Sequence, residues 1–299
     1  MPKKIAILGA SGHIAKGLIL NFMQQAKAQE LFLFARSPKK VKKFLSAQSL
    51  KGNPHIYDFK HFLRLKYDVI INCVGLGTPA ELKQASAEVF KLTEEFDNLI
   101  LGYLRRNPKT IYINFSSGAV YCVSVNDLKP EHYYGIAKLH QEAKHRALPK
   151  LNIVDLRIFS YFSRFIELDS GYFLTELLKC LKAKKALVTD ACDFVRDFLA
   201  PGDLFNLIGL VIKRKPFNGV LDVYSLRPVT KFKLLEYFVK NYSLKYIIKR
   251  SLKLACPTGV KVRYCPHSRK AASLGYKPKF SSLAAVAMEA KYLLGETNG

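Results

Sequence analysis

Short, continuous apolar runs alternate with amphipathic stretches through the first half of the chain. Ile5-Ala6-Ile7-Leu8 comes first, followed by a helical pattern from about Ile14 through Leu18, Ile19, Phe22 and Met23. The strand signal returns at Leu31-Phe32-Leu33-Phe34-Ala35, at a short run ending by Asp58-Phe59, and at Asp68 to Gly75. It returns again at Thr110 to Phe115 and at Asn152 to Ile158. Unbroken apolarity, rather than strict alternation, is what a strand buried on both faces of a parallel sheet requires. Between the strands, one long amphipathic helix is predicted over about Ala80 to Arg105. Another opens at Tyr133 and runs through Leu139, Glu142 and Ala143. Strands alternating with helices predict an α/β fold built on a doubly wound parallel sheet.

After Ile158 the regular alternation breaks. A loop and helix are expected over Glu167 to Lys185, and a short strand over Ala186 to Val188. Asp193 to Phe198 then leads into a helix over Leu204 to Ile212, and Gly219 to Tyr224 reads as a further strand. Helices are expected over Phe232 to Tyr242 and Leu283 to Leu294. The pattern predicts a sheet domain over residues 1–165 with a return segment at about 196–225. A smaller, irregular domain is expected over about 166–195 and 226–299.

The first strand runs straight into Gly9-Ala10-Ser11-Gly12-His13-Ile14-Ala15. Strand, glycine turn, helix is the context in which a helix N-terminus receives a pyrophosphate. Gly9 permits the tight turn, and Gly12 lets the backbone approach the ligand. At the end of the second strand an acid would bind the ribose 2′-hydroxyl of NAD. Arg36-Ser37 stands there instead, followed by Lys39, Lys40, Lys42 and Lys43, which suits a 2′-phosphate and favours NADP over NAD.

Tyr134 and Lys138 are four residues apart, which on a helix puts both on one face. A bare pair of this kind on a solvated helix carries no chemistry. Beside a cofactor it matters, because a nearby ammonium favours the phenolate and draws the tyrosine pKa from about 10 towards neutrality. A phenol so tuned exchanges protons at cytosolic pH.

The 299 residues are 49% hydrophobic and 24% charged, ordinary for a globular protein, but the net charge is +25. Such a balance suits anionic partners or reflects a lysine-rich proteome. The lysines are spread along the chain, which argues against nucleic acid. Cysteines 73, 122, 180, 192, 256 and 265 have neither C-x-x-C nor zinc-ligand spacing. They read as reduced thiols of a cytoplasmic protein, and no metal site is expected. No apolar run approaches the length of a membrane span.

Taken together these residues resemble the extended short-chain dehydrogenase/reductase family, in its nucleotide-sugar epimerase, dehydratase and reductase branch. The resemblance runs nearly end to end. Its marks are Gly9-x-x-Gly12-x-x-Ala15, Asp58, Asp68 to Gly75, Ser116 to Tyr121, and Tyr134-Gly135-x-x-Lys138-x-x-x-Glu142. Leu156 to Phe159, Val195 to Phe198 and Leu274-Gly275-Tyr276-x-Pro278 complete them.

The resemblance implies a Rossmann domain that binds NADP, with NAD as the alternative, and a C-terminal domain that binds a nucleotide-diphosphate sugar. It implies a catalytic trio of Ser117, Tyr134 and Lys138. The cofactor would lie against Gly9, Ser11, Gly12, His13 and Ile14, with Arg36 and Ser37 beside it. Asp58 would meet the adenine near Phe59. Val74, Gly75 and Phe159 would also line the cofactor, and Lys138 would hold the nicotinamide ribose. On the substrate side it implies Ser117, Gly118, Ser160 and Arg196, with the Arg196 guanidinium on the diphosphate. His132 falls near the site but reads as a structural or surface group, as His13 does when taken alone.

Three departures shape the expected reaction. Related dehydratases carry an Asp-Glu pair where this chain has Gly118-Ala119, which argues against 4,6-dehydration. Ser160 stands where an Asn is common, and Ser163-Arg164 where Gly-Pro is common, so the sugar is left open. The expected activity is keto-sugar reduction or redox epimerisation for surface-polysaccharide synthesis, carried out by a homodimer. The alternatives are an NAD-dependent 4-epimerase with tightly held cofactor and a non-catalytic cofactor sensor or RNA binder.

Overall fold

The computed structural model describes residues 2–25, 29–48, 50, 52–124, 126–249, 259 and 261–295. Cys256 lies outside them. The first half runs β1 (Lys4–Leu8), α1 (His13–Gln24), β2 (Glu30–Phe34), α2 (Pro38–Ala47), β3 (His55–Tyr57) and β4 (Val69–Asn72). It continues through α3 (Pro79–Gln84), α4 (Glu88–Arg106), β5 (Ile111–Ser117), α5 (Tyr133–Arg146) and β6 (Ile153–Ile158). The second half holds β7 (Ser160–Tyr161), α6 (Phe173–Lys182), β8 (Leu187–Thr189), β9 (Val195–Arg196), β10 (Phe198–Leu199) and α7 (Pro201–Lys213). Then come β11 (Gly219–Asp222), β12 (Val229–Thr230), α8 (Lys231–Tyr242), β13 (Tyr246–Ile248), β14 (Arg263–Tyr264) and α9 (Ser282–Leu294).

Seven strands form one parallel sheet in the order β11-β6-β5-β4-β1-β2-β3. This is the doubly wound α/β arrangement that the apolar runs predict. Alternate residues of each run serve opposite faces. Ile5, Ile7, Leu31, Leu33, Ile113 and Val154 pack under α1, α2 and α7. Ala6, Leu8, Phe32, Phe34, Ile70 and Tyr112 pack against α4. Parallel strands covered on both sides need apolar residues at every position, which is why the runs are unbroken.

The expected single helix over about Ala80 to Arg105 is two helices. The break falls at Ala85, with φ −138° and ψ 48°. Its cause is tertiary. Thr78 and Glu81 form a reciprocal cap at the start of α3. Tyr172 Oη donates to the Gly77 carbonyl and Tyr133 Oη to that of Leu82, tying the start of α3 to the second half and its body to α5. Meanwhile α4 must bury Val89, Phe96 and Ile100 along its own length. One straight helix cannot meet both demands.

The second half has its own apolar cluster, in which Phe162, Leu174, Leu177, Leu234, Phe238 and Val286 join α6, α8 and α9. Apart from β11, its strands are two or three residues long. β11 pairs with β6 at one edge of the main sheet. Arg164 clamps Glu289 of α9 through both guanidinium arms and lies 3.1 Å from the centre of the Tyr292 ring.

Candidate active site

The carboxyl ends of β1, β2, β4 and β5 meet at one edge of the sheet, where an open α/β fold binds its ligands. Gly9 leaves β1 at φ +75°, and a Cβ there would lie 2.9 Å from the Cys73 backbone. Only glycine meets both conditions. Gly12 donates to the Gly9 carbonyl at 2.9 Å and caps α1 without a side-chain bond, so the first N–H groups of the helix face the turn. Ser11 and Ile14 flank it. This glycine cradle fits a dinucleotide pyrophosphate.

His13 tucks its ring against Tyr161 at 4.9 Å. Burial, then the nearby Lys16 charge, lower its pKa to about 4, and it is neutral at physiological pH. Arg36 is exposed just beyond β2, and Ser37 caps α2 without using its side chain. Asp58 follows β3 as expected, but its Oδ1 already accepts from the Lys60 N–H and meets His61 Nδ1 at 2.7 Å. Phe59 packs edge-on to Phe96 at 4.6 Å. Val74 is held by its N–H to Asn72 Oδ1.

Ser117 ends β5, and its Oγ accepts from the Ala119 N–H at 3.2 Å. Tyr134 and Lys138 lie in the first turns of α5. A Cβ on Gly77 would lie 3.8 Å from Tyr134 Oη, and one on Gly75 would lie 4.0 Å from Lys138 Nζ. The loop after β4 therefore runs within van der Waals reach of the phenol and the amine.

The expected tuning of Tyr134 is not what the structure shows. Burial pushes its phenol up to about 12, and the hydrogen bond from Ser117 only partly offsets this. Burial also lowers Lys138 to about 8, against the carboxylates of Asp97, Asp155 and Glu142. The amine turns inward and donates to the Phe115 carbonyl at 3.0 Å. The four-residue spacing fixed the shared face, but desolvation outweighs the pairing. Tyr134 is thus a proton donor across the physiological range.

Four expected site residues also have structural partners. Phe159 lies over Gly118, where a Cβ would fall 2.3 Å from the ring, and its ring centre is 5.2 Å from that of Tyr264. Gly118 is therefore required for packing. Ser160 lies in β7, paired with Phe198 of β10. Arg196 in β9 stacks its guanidinium 4.4 Å from the centre of the Phe194 ring and stands in register with Tyr264 of β14.

Tyr264 is the site residue that sequence reasoning missed. Its Oη lies 2.9 Å from Ser117 Oγ, across 147 residues of chain. Burial raises its pKa well above 10, so it stays protonated. The loop that follows is pinned by Asp222, whose Oδ2 accepts from the N–H groups of His267 and Ser268 at 2.9 Å. Asp222 also takes the Tyr121 hydroxyl. Nothing in the sequence marks Tyr264, since a two-residue strand has no period.

Behind the site, a buried polar cluster holds α4 and α5 to the sheet. His145 bridges Asp97 through Nε2 (2.7 Å) and Asp155 through Nδ1 (2.9 Å). Burial disfavours its charge, but the hydrogen bonds and charges of the two aspartates outweigh that, and its pKa rises to about 9. Glu142 takes both arms of Arg157 and the Ser116 hydroxyl.

Comparison with known proteins places this geometry. No curated protein matches the chain in sequence. Among solved structures, the UDP-glucuronic acid 4-epimerase of Bacillus cereus superposes with a TM-score of 0.80 at 19% identity, over 98% of this chain and 100% of that one. The UDP-glucose 4-epimerase of Bifidobacterium longum gives 0.78 at 17%, over 98% of each chain. The ADP-L-glycero-D-manno-heptose-6-epimerase of Helicobacter pylori gives 0.74 at 18%, over 98% of this chain and 97% of that one. At these identities the likeness concerns the fold. The profile of the NAD dependent epimerase/dehydratase family matches residues 5–226, most of the chain including the glycine cradle, Ser117, Tyr134 and Lys138, and the chain belongs to that family.

Proposed function

We propose that this protein is an NADP(H)-dependent oxidoreductase that reduces a keto group on a nucleotide-activated sugar. The observation that carries the reading is the meeting of Ser117, Tyr134 and Tyr264 beside the glycine cradle. Ser117 Oγ and Tyr264 Oη lie within hydrogen-bond distance of each other. The Tyr134 phenol interacts with Ser117, which partly offsets the burial that pushes its pKa up to about 12. Such a phenol suits the reductive direction, where a proton must be given up to a developing alkoxide.

A reduced nicotinamide held by the glycine cradle would supply the hydride that the carbonyl carbon takes up. Tyr134 Oη gives its proton to the carbonyl oxygen, which becomes the hydroxyl. Ser117 and Tyr264 hold that oxygen by hydrogen bonds. Lys138, with a pKa of about 8, keeps a charge through most of the neutral range and favours the phenolate left behind. Arg36, exposed and followed by Lys39 and Lys40, supports a 2′-phosphate and hence NADP.

The cap, taken as about 166–195 and 226–299, would hold the nucleotide sugar, with Arg196, at the start of the return segment, on its diphosphate. The exposed Phe90 and Leu139 beside α4 and α5 support a homodimer through that face. Cys73, Cys122, Cys180, Cys192 and Cys265 are free thiols, which suits a reducing, cytoplasmic location; the proposed role there is polysaccharide precursor synthesis. No described helix is long and apolar enough to cross a membrane.

A second reading is a 4-epimerase that keeps its NAD. It is favoured by the two epimerases described above whose structures contain NAD. One experiment separates the two. The purified protein is desalted, and its retained nucleotide is identified. It is then given NADPH and a panel of 4-keto nucleotide sugars. NADPH consumption with an unoccupied protein supports the reductase, whereas NAD that survives desalting with no NADPH consumption overturns it.

A further inference from the structure

The second half carries a surface that the proposed chemistry does not use. Strands β8 and β13 form a two-stranded parallel sheet, with Tyr246 beside Leu187, Ile247 beside Val188 and Ile248 beside Thr189. Side chains directly abreast share a face. Leu187 and Thr189 turn inward and are buried. Val188 and Ile247 therefore form the outward pair, and they are 41% and 51% exposed. Tyr246 and Ile248, on the other face of β13, are still 38% and 42% exposed. Among the described residues nothing pairs with the outer edge of β13. Four large apolar side chains thus stand in solvent within six residues of strand.

Their surroundings are cationic. Residues 182–189 contain Lys182, Lys184 and Lys185, and residues 239–249 contain Lys240, Lys245 and Lys249. Neither segment holds an acidic residue. All six lysines are exposed, and none makes an ion pair with a described residue. Their placement follows the strand pairing. The Leu187 N–H donates to the Lys245 carbonyl, which puts Lys245 beside the Lys184-Lys185 turn, and the Lys249 N–H donates to the Thr189 carbonyl at the other end. The apolar strand pair is bracketed by positive charge at both ends.

We infer that this strand pair docks on an anionic lipid surface. Aliphatic side chains gain from entering the acyl boundary, a tyrosine suits the interface, and lysines reach back to the headgroups on their flexible stems. The charge balance is what favours an anionic bilayer over a second copy of the chain, since six unpaired lysines would face six more. It is also ill suited to nucleic acid. The segments contain no arginine and only one exposed aromatic residue, Tyr246, and aliphatic chains offer no face on which bases stack.

The test uses the full-length protein and sedimentation with vesicles of phosphatidylcholine alone or mixed with phosphatidylglycerol. Binding is expected only to the mixed vesicles and should weaken as salt is raised. Each of Lys184, Lys185 and Lys245 changed to Ser should lower the partition coefficient about fivefold. Ile247→Glu should lower it about tenfold or more. Thermal melts and NADPH turnover in solution check that these variants are folded, so a failure of the catalytic proposal is distinguishable from a failure of this one. Equal sedimentation with both vesicles, none with either, or an unchanged Ile247→Glu variant overturns the inference. So does a dimer that Ile247→Glu converts to monomer with no vesicle binding. Single-stranded RNA binding that the lysine variants abolish and Ile247→Glu leaves intact, again without vesicle binding, overturns it as well.

Discussion

The sheet half and the cap solve the same problem in different ways. In the sheet half, each strand pairs over three to six registers, and both faces are sealed by helices. In the cap, β9, β12 and β14 are two residues each and lean on side chains to complete what the ladders leave out. Lys231, fully buried, donates to the Asp190 carbonyl and carboxylate at 2.7 and 2.8 Å. Asp222 and Asp203 take pairs of backbone N–H groups from loops that have no strand partner. The regularly paired sheet and the helix packed on it hold the proposed reacting groups Ser117, Tyr134 and Lys138, while charged and polar clamps hold the residues that would choose the substrate. The difference implies that chemistry should fail with changes in the sheet half, and recognition with changes in the cap.

The sharpest division is Tyr134→Phe. Losing the proton donor should lower kcat about 10²–10⁴-fold with KM little changed, read by steady-state NADPH consumption. An equal loss in kcat and in substrate binding would break the assignment. Next is Asp190→Ala in the cap, which strands the Lys231 charge in the interior. Removing one partner of a buried pair costs about 3–5 kcal/mol, seen as a lower midpoint in urea denaturation. If the transition also becomes two-step, the cap unfolds as a separate unit.

A smaller effect comes from pH. His145, raised to about 9 in the fold, stabilises the protein fully below its unfolded value of about 6.5, and that contribution is lost as pH rises to about 9. Lys138 acts in the opposite sense above about 8, where its lowered pKa favours the fold. The fall in unfolding free energy should therefore be clearest between about pH 6.5 and 8, and His145→Gln should flatten it. Gly118→Ala should cost about 1–3 kcal/mol, because the added methyl meets the Phe159 ring. A drop in melting temperature without loss of NADPH affinity would place that cost in packing. The smallest effect is expected for Tyr264→Phe, about fivefold in KM for the sugar. An unchanged KM would remove Tyr264 from the substrate site.

The two halves were also unequally legible. Parallel strands buried on both faces write themselves as continuous apolar runs, so β1, β2, β4, β5 and β6 are visible with errors of only a residue or a few at their ends. The glycine turn is legible because Gly9 must take a positive φ beside the Cys73 backbone. The break between α3 and α4 is not, because it answers to Tyr172 and Tyr133, which reach those backbone carbonyls from distant segments.

The sequence by itself determined the doubly wound sheet, the glycine turn after β1, and the placement of Tyr134 and Lys138 on one helix, since each follows from contacts within a few residues. Only the tertiary structure decided how those groups ionise. Burial depends on everything packed around a side chain, and it pushes Tyr134 up to about 12 where spacing alone suggested the reverse. The same holds for Tyr264, brought to Ser117 from 147 residues away by a loop clamped on Asp222. It holds too for the lysines and aliphatics that strand pairing gathers on β8 and β13. Local spacing sets which groups can meet, and desolvation and long-range pairing set what they do.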